Sequence, residues 1–454
     1  MRSERRNDLL SRIHRAPAVR PSADRRRVDR TEGAHTAIVA GSALLLVVQF
    51  LMALGSRLVD GLFAHVGMDF LTTYTAAQII ADGDGHRLYD WWAQRLAQYP
   101  IIAAQNVTWS DRILQPYVAP PVLAIIAFPL QWLPAPGAFA VWVALSAGAF
   151  WIAARRLDRA LNLRLGWLLP LVTFSFFPVF YTLRLGQAEG LMFLGVVAYI
   201  VLSRRGADLP AGLALGILAI KPPLLVVPII YLATKQRWRA LLGLTIACVG
   251  AAGLSLAILG HAGVADYLKL SHDLSQPAGT TATNVAGMIN VRGTVVRLLP
   301  GASALVQEIA IVGISLTLLG VSVAVWRRSA PERGTPADEA DTALMLVATC
   351  LLSYHTLIHT GSLLLPAIAL LWHAVHREPT SGDWDRGVMG WMLAALWVAP
   401  TLAFLPTGTS QLPAIVMTPF VALLWIFSAE YVIRHTTPEP ALAKARTARG
   451  SRRW

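Results

Sequence analysis

Asp69, in Gly67-Met68-Asp69-Phe70, follows the first long apolar run and opens a stretch rich in aromatic and polar residues. A carboxylate at a membrane face, close to apolar surroundings and away from bulk water, gains the basicity that a general base needs. The same aspartate precedes an apolar-periodic segment, and the commonest use of such a residue is to cap a helix. Asp82, Asp84 and Asp90 surround Gly83 and Gly85 and read as turn residues.

Lys221 is one of only four lysines and lies in Ala219-Ile-Lys-Pro-Pro223 between two apolar runs. A cation there is costly unless it meets an anion or reaches an interface. A lipid phosphate would satisfy it, and so would backbone carbonyls at a broken helix. Arg184, Gln187 and Glu189 fall at another helix end. Gln187 both donates and accepts, which suits a sugar hydroxyl, while Arg184 and Glu189 could simply pair. His355 and His359 are spaced four apart, as on one helix face. No adjacent glutamate or third ligand accompanies them, so polar site-lining histidines fit better than a metal site. Arg292 and Arg297 could bind phosphate or serve as interfacial arginines.

These residues must be positioned by membrane helices. The chain has 454 residues, 55% hydrophobic and 14% charged, against roughly a quarter charged in an ordinary soluble domain. Runs such as Thr36 to Leu54, Trp238 to Leu259, Ala304 to Trp326 and Gln411 to Ile433 approach or exceed the ~20 residues that cross a bilayer core. The formal charge of +13 collects at the termini and in short hydrophilic gaps. That distribution is positive-inside topology rather than a nucleic-acid surface. Both ends, 1–35 and 434–454, are expected to be cytoplasmic and disordered. The protein is expected to be a multi-pass protein of the cell membrane. Cys248 and Cys350 fall inside apolar runs and read as core residues.

Thirteen apolar segments can be drawn, and with both ends inside the crossings must be even, so about twelve transmembrane helices are expected in an all-α polytopic protein. The Pro120 to Leu133 segment is short and Pro-containing and reads as a re-entrant arm. Leu209 to Ile220 and Pro222 to Ala233 are too short to cross upright and suit discontinuous helices lining a cavity. One transmembrane domain, 36–433, then carries two long extracytoplasmic loops, 58–115 and 261–303. In the first, Tyr74, Ala76, Ala77 and Ile80, then Leu88, Trp91, Trp92 and Leu96, have helical spacing and suggest interfacial helices. No glycine-rich nucleotide loop is present, so an activated donor used outside would have to arrive on a lipid.

Gly67-Met-Asp69 with Tyr74, Ala76, Ala77, Gly83 and Leu88-Tyr89 is followed by Tyr117-Val-Ala-Pro-Pro121 and Pro129-Leu-Gln-Trp-Leu-Pro134. Gly186-Gln187, Lys221-Pro222 and Arg237-Trp238-Arg239 come next. Together they resemble glycosyltransferase family 87, most closely over Asp60 to Leu244. The resemblance implies a GT-C-type helical bundle. It also implies inverting transfer of a sugar, mannose first among the candidates, from a polyprenyl phosphate to a lipid or glycan acceptor at the extracytoplasmic face. In that reading Asp69 is the base, and Lys221, Arg184, Gln187, His355, His359, Tyr117 and Arg292 are the substrate-binding candidates. No cofactor or metal is called for. Two departures bear on specificity: Ala188-Glu189 follows Gly-Gln where a polar amide is expected, and Tyr354 replaces a proline near Ser353.

A lipid-linked glycan flippase or other secondary transporter is the competing class. Such proteins commonly show inverted repeats and midplane charges. No internal repeat is found, and the polar residues collect at one face beside two long loops, which favours an enzyme.

Overall fold

The computed structural model describes residues 23–60, 63, 66–105, 115–275, 284–378, 381–406 and 411–436. Two units are distinguished, Met1–Leu44 and Leu45–Trp454. The smaller contains, among the described residues, the N-terminal part of α1, Ala23–Asp60. The larger holds the rest of that helix and all of the elements that follow. The expected disorder of the tails lies outside the described residues up to position 22 and from 437 on; from Ala23 the chain is helical.

The fold is all-helical. Among the described residues, seven helices are long and apolar enough to cross a membrane. They lie at Thr36–Leu58, Ala135–Leu161, Trp238–Ser275, Ala304–Arg328, Ile358–Arg377, Asp383–Phe404 and Gln411–His435. An eighth crossing arises if α6 (Leu168–Ser175) and α7 (Phe177–Leu185), bent by 68°, form one broken span. About twelve had been expected. The difference lies in shorter apolar helices, which length and composition alone do not count as crossings. One is α14, Pro336–Leu352, in which every residue from Asp338 to Leu351 is buried. Protein surrounds it along that length, as at the centre of a helical bundle.

The first expected loop contains two helices of different character. α2, Met68–Ala81, is buried along Phe70–Ala77 and packs on α4, Pro121–Ala127, and α5, Ala135–Leu161. It is therefore an interior helix and not an interfacial one. α3, Trp91–Ala104, is capped by Asp90, whose carboxylate accepts from Trp92 N at 2.7 Å and Ala93 N at 3.2 Å. Its inner face carries Gln94 and Gln98, while Trp91, Trp92, Leu96 and Tyr99 are exposed. Such inverted amphipathicity fits the interfacial placement. The Pro120 to Leu133 segment forms α4 and a 3-10 turn over Phe128–Trp132, short and packed against α2. The second expected loop, 261–303, starts just after the break at Gly260 (φ 61°, ψ −176°) that divides α11, Trp238–Ser275, and its first part is helical.

Two further helices hold the site and its opposite pole. α8 runs from Glu189 to Arg204, a rise of ~24 Å at 1.5 Å per residue. At its far end Arg204 pairs with Glu339 of α14, and His373 Nδ1 of α15, Leu364–Arg377, lies 2.7 Å from the other oxygen of Glu339. There too Lys235 pairs with Asp341, Arg237 with Asp338 at 2.7 Å and Arg333 with Asp208 at 2.6 Å. The basic turns that the sequence places on one side of the membrane thus gather at one end. α14 leads away from this end to the Ser353–His359 segment of the site.

The Lys221 turn is held by backbone packing. α9, Asp208–Leu215, and a 3-10 turn over Gly216–Ile220 precede it; a second turn over Pro222–Leu225 and α10, Val226–Thr234, follow. A Cβ on Gly212 would lie 1.8 Å from the carbonyl oxygen of Ala240 in α11, so only glycine permits this approach.

Candidate active site

α2 and α7 are stitched together at the site. Gly67, in the left-handed N-cap position of α2, donates its N–H to the Arg184 carbonyl at 2.7 Å. Gly186 ends α7 with φ 73°, and a Cβ there would lie 2.5 Å from Phe70 Cβ and 2.9 Å from Phe139. Trp142 Nε1 donates to the Gly186 carbonyl at 2.9 Å. The chain leaving this turn carries Gln187 to Asp69, where Nε2 donates to Oδ2 at 2.6 Å. Asp69 is therefore not the cap of α2: the cap position is Gly67, without a side-chain bond. Burial raises the Asp69 carboxyl to about 6, against the lowering influence of Gln187 and Lys221, with Glu189 adding to the rise.

Next to this pair stands a buried ionic cluster. Lys221 Nζ donates to Glu189 Oε1 at 2.5 Å and lies 3.1 Å from His359 Nε2. The Thr360 hydroxyl donates to the same Glu189 oxygen at 3.0 Å. An ammonium has no lone pair, so Nε2 of His359 is the acceptor and its proton sits on Nδ1. Glu189 and His359 are buried, while Asp69, Gln187, Lys221 and His355 remain partly exposed. The exposed groups form the front of the site and the buried ones its floor.

Several expected residues lie elsewhere or differ in role. Arg184 does not pair with Glu189: its Nη2 donates to Ser56 at 3.0 Å and its guanidinium lies 5.1 Å over Phe404. The carboxylate takes Lys221 instead. Tyr117 spends its hydroxyl on backbone, donating to Pro120 O at 2.6 Å and accepting from Ala124 N at 3.1 Å. It braces the start of α4. Arg297 is likewise committed, to Ala286 O, Met288 O and Thr418.

His355 and His359 do not share a helix face. α14 ends at Leu352, and His355 stands in the non-helical segment before the 3-10 turn Ile358–Leu363. Burial, with the charges of Lys221 and Arg292, pushes His355 down to about 3, so it is neutral. Arg292, on α12, Val291–Leu298, lies 4.4 Å over the Tyr354 ring and donates to Leu274 O at 3.1 Å. The second loop holds this segment: Ile289 N donates to Thr356 O at 2.9 Å and Asn290 Nδ2 to Ser353 O at 2.7 Å. Among the described residues no group of three His, Cys, Asp or Glu side chains could hold a metal ion.

The sequence reading missed Glu189 and Thr360 as members of the site. Glu189 carried a signal: it opens the apolar run Glu189-Gly-Leu-Met-Phe-Leu, where a buried carboxylate must find a cation.

A family model described as glycosyltransferase family 87 matches residues 117–354. The matched range takes in Gln187, Glu189, Lys221 and Arg292; Asp69, His355 and His359 lie outside it. Neither the curated proteins nor the solved structures give a match.

Proposed function

Because this chain belongs to glycosyltransferase family 87, we propose that it moves a hexose, mannose first among the candidates, from a polyprenyl-phosphate donor to a lipid or glycan acceptor. The reaction inverts the anomeric carbon. Asp69 takes the proton of the acceptor hydroxyl as its oxygen attacks, and the sugar–phosphate C–O bond breaks with its electron pair going to the phosphate. Lys221 uses its remaining N–H and its charge to stabilise the departing phosphate. Gln187 orients the base, and neutral His355 is a hydrogen-bonding wall of the same site.

The observation that carries this reading is the Asp69 carboxyl itself: partly exposed, held at 2.6 Å by Gln187, and raised to about 6 by burial. Such a group is ionised at neutral pH yet more basic than an ordinary aspartate, as proton abstraction requires. The basic turns gathered around Asp338, Glu339 and Asp341 at the other pole support an extracytoplasmic site with both termini cytoplasmic.

The test is transfer of radiolabelled sugar from polyprenyl-phosphate mannose to a membrane lipid extract, with purified wild type and Asp69→Asn in nanodiscs. Label moved by the wild type alone is the expected result. Equal transfer by both removes Asp69 as the base. Absence of transfer by either points first to another donor sugar and then to a lipid-linked glycan flippase.

A further inference from the structure

We propose that Glu189 tunes the charge of the phosphate subsite, so that it prefers a singly charged phosphodiester over a doubly charged phosphomonoester and thereby expels the spent lipid carrier. This inference rests on the proposed transfer reaction. The donor is a phosphodiester with one negative charge. When its C–O bond to the sugar breaks, the phosphate keeps the electron pair and leaves as a monoester. The acceptor proton, taken by Asp69, passes on to water at neutral pH and restores that carboxylate, so the lipid carries up to two charges beside an ionised Asp69.

The geometry supports this discrimination. Lys221 stands at the front of the site against its buried floor, and two of its three N–H donors are spent on Glu189 at 2.5 Å and His359 at 3.1 Å. A phosphate reaching the third N–H comes within a few ångströms of a fully buried carboxylate. A carboxylate in contact with an ammonium and a Thr360 hydroxyl is ionised, and its second oxygen, Oε2, is buried with no hydrogen-bond partner among the described residues. Asp69 adds a second carboxylate, while Arg292, whose charge reaches His355, adds a second cation. Lys221 and Arg292 against Asp69 and Glu189 leave no net positive charge. A cationic pocket would hold the dianion more tightly than the monoanion; a pocket with no net positive charge does not offset the dianion's greater desolvation cost, and each added charge meets Glu189 in a weakly screened setting.

The experiment compares binding of a short-chain polyprenyl phosphate and of its methyl phosphodiester to the full-length protein in nanodiscs at pH 8. The second ionisation of a phosphomonoester, at about 6, is then complete. The wild type is expected to bind the diester more tightly. Glu189→Gln is expected to shift the ratio of the two dissociation constants by at least about tenfold toward the monoester, while Glu189→Asp, which keeps the charge, retains the wild-type order. A purely structural role for Glu189 would weaken both lipids together. An unchanged ratio in folded Glu189→Gln overturns the proposal. So does tighter binding of the monoester by the wild type, an arm that decides by itself should Glu189→Gln fail to fold. If neither lipid binds the wild type, the transfer reading itself fails, and this proposal with it.

Discussion

The side-chain amide of Gln187 donates to Asp69 Oδ2 at 2.6 Å, joining residues 118 positions apart. The bond exists because the backbones on either side are already fixed, by Gly67 N to Arg184 O and by the contact of Gly186 with Phe70. One carboxylate oxygen is thus anchored by the protein and the other remains for an acceptor.

Gln187→Leu should move the pH dependence of transfer. The amide stabilises only the ionised form of Asp69, so losing it raises the carboxyl further above about 6. Activity needs the ionised base and is lost as pH falls through that value. The acid limb of kcat/KM should therefore move up by about one unit, with about a twofold loss at pH 7 that grows to about tenfold near pH 5. A limb that stays in place while activity falls would show that Gln187 binds substrate and does not set the base.

Asp69 should also cost stability. Its carboxyl is higher in the folded protein than in the unfolded chain, so the folded state holds the proton more tightly. Stability from this group is complete below pH ~4 and is lost as pH rises through about 6. With screening of a partly exposed group allowed for, the loss is at most about 2 kcal/mol. Asp69→Asn should raise the unfolding temperature in detergent by a few degrees at pH 7.5 and leave it unchanged at pH 4. An equal gain at both pH values would separate the effect from ionisation.

The residues that converge were visible because each is out of place by type. A lysine flanked by apolar runs and an aspartate at the end of one carry a desolvation cost that only function or a partner offsets. Partner choice was not visible. Glu189 lies five positions from Arg184 and thirty-two from Lys221, and local spacing favours the wrong cation. The choice is made by α7 ending at Gly186, which sends the Arg184 side chain toward Phe404 and starts α8 with Glu189 facing the Lys221 turn. The two histidines failed for a related reason: a spacing of four implies a shared face only where the backbone is helical, and Ser353–Leu357 is not. The short helices around Lys221 were legible because their length alone forbids an upright crossing.

The opposite pole offers a contrast in which charge serves architecture. Asp338 accepts from Arg237 Nη2 at 2.7 Å and from Gly334 N at 2.9 Å, and Arg237 Nη1 donates to Ser203 at 2.7 Å. Three turns are fastened through one carboxylate, away from water. Removing either partner of a buried pair leaves an uncompensated charge, at a cost of about 3–5 kcal/mol. Arg237→Met and Asp338→Leu should each lower the unfolding temperature strongly. The double variant should recover all but about 1–2 kcal/mol, the remainder reflecting the Gly334 N–H left without an acceptor. The length of α8, ~24 Å, separates this pole from Lys221, so the double variant should keep the wild-type KM for the lipid donor. Thermal unfolding and initial-rate measurements on the same preparations would check both halves, and a changed KM in a recovered double variant would mean that the two poles communicate through α8 and α14.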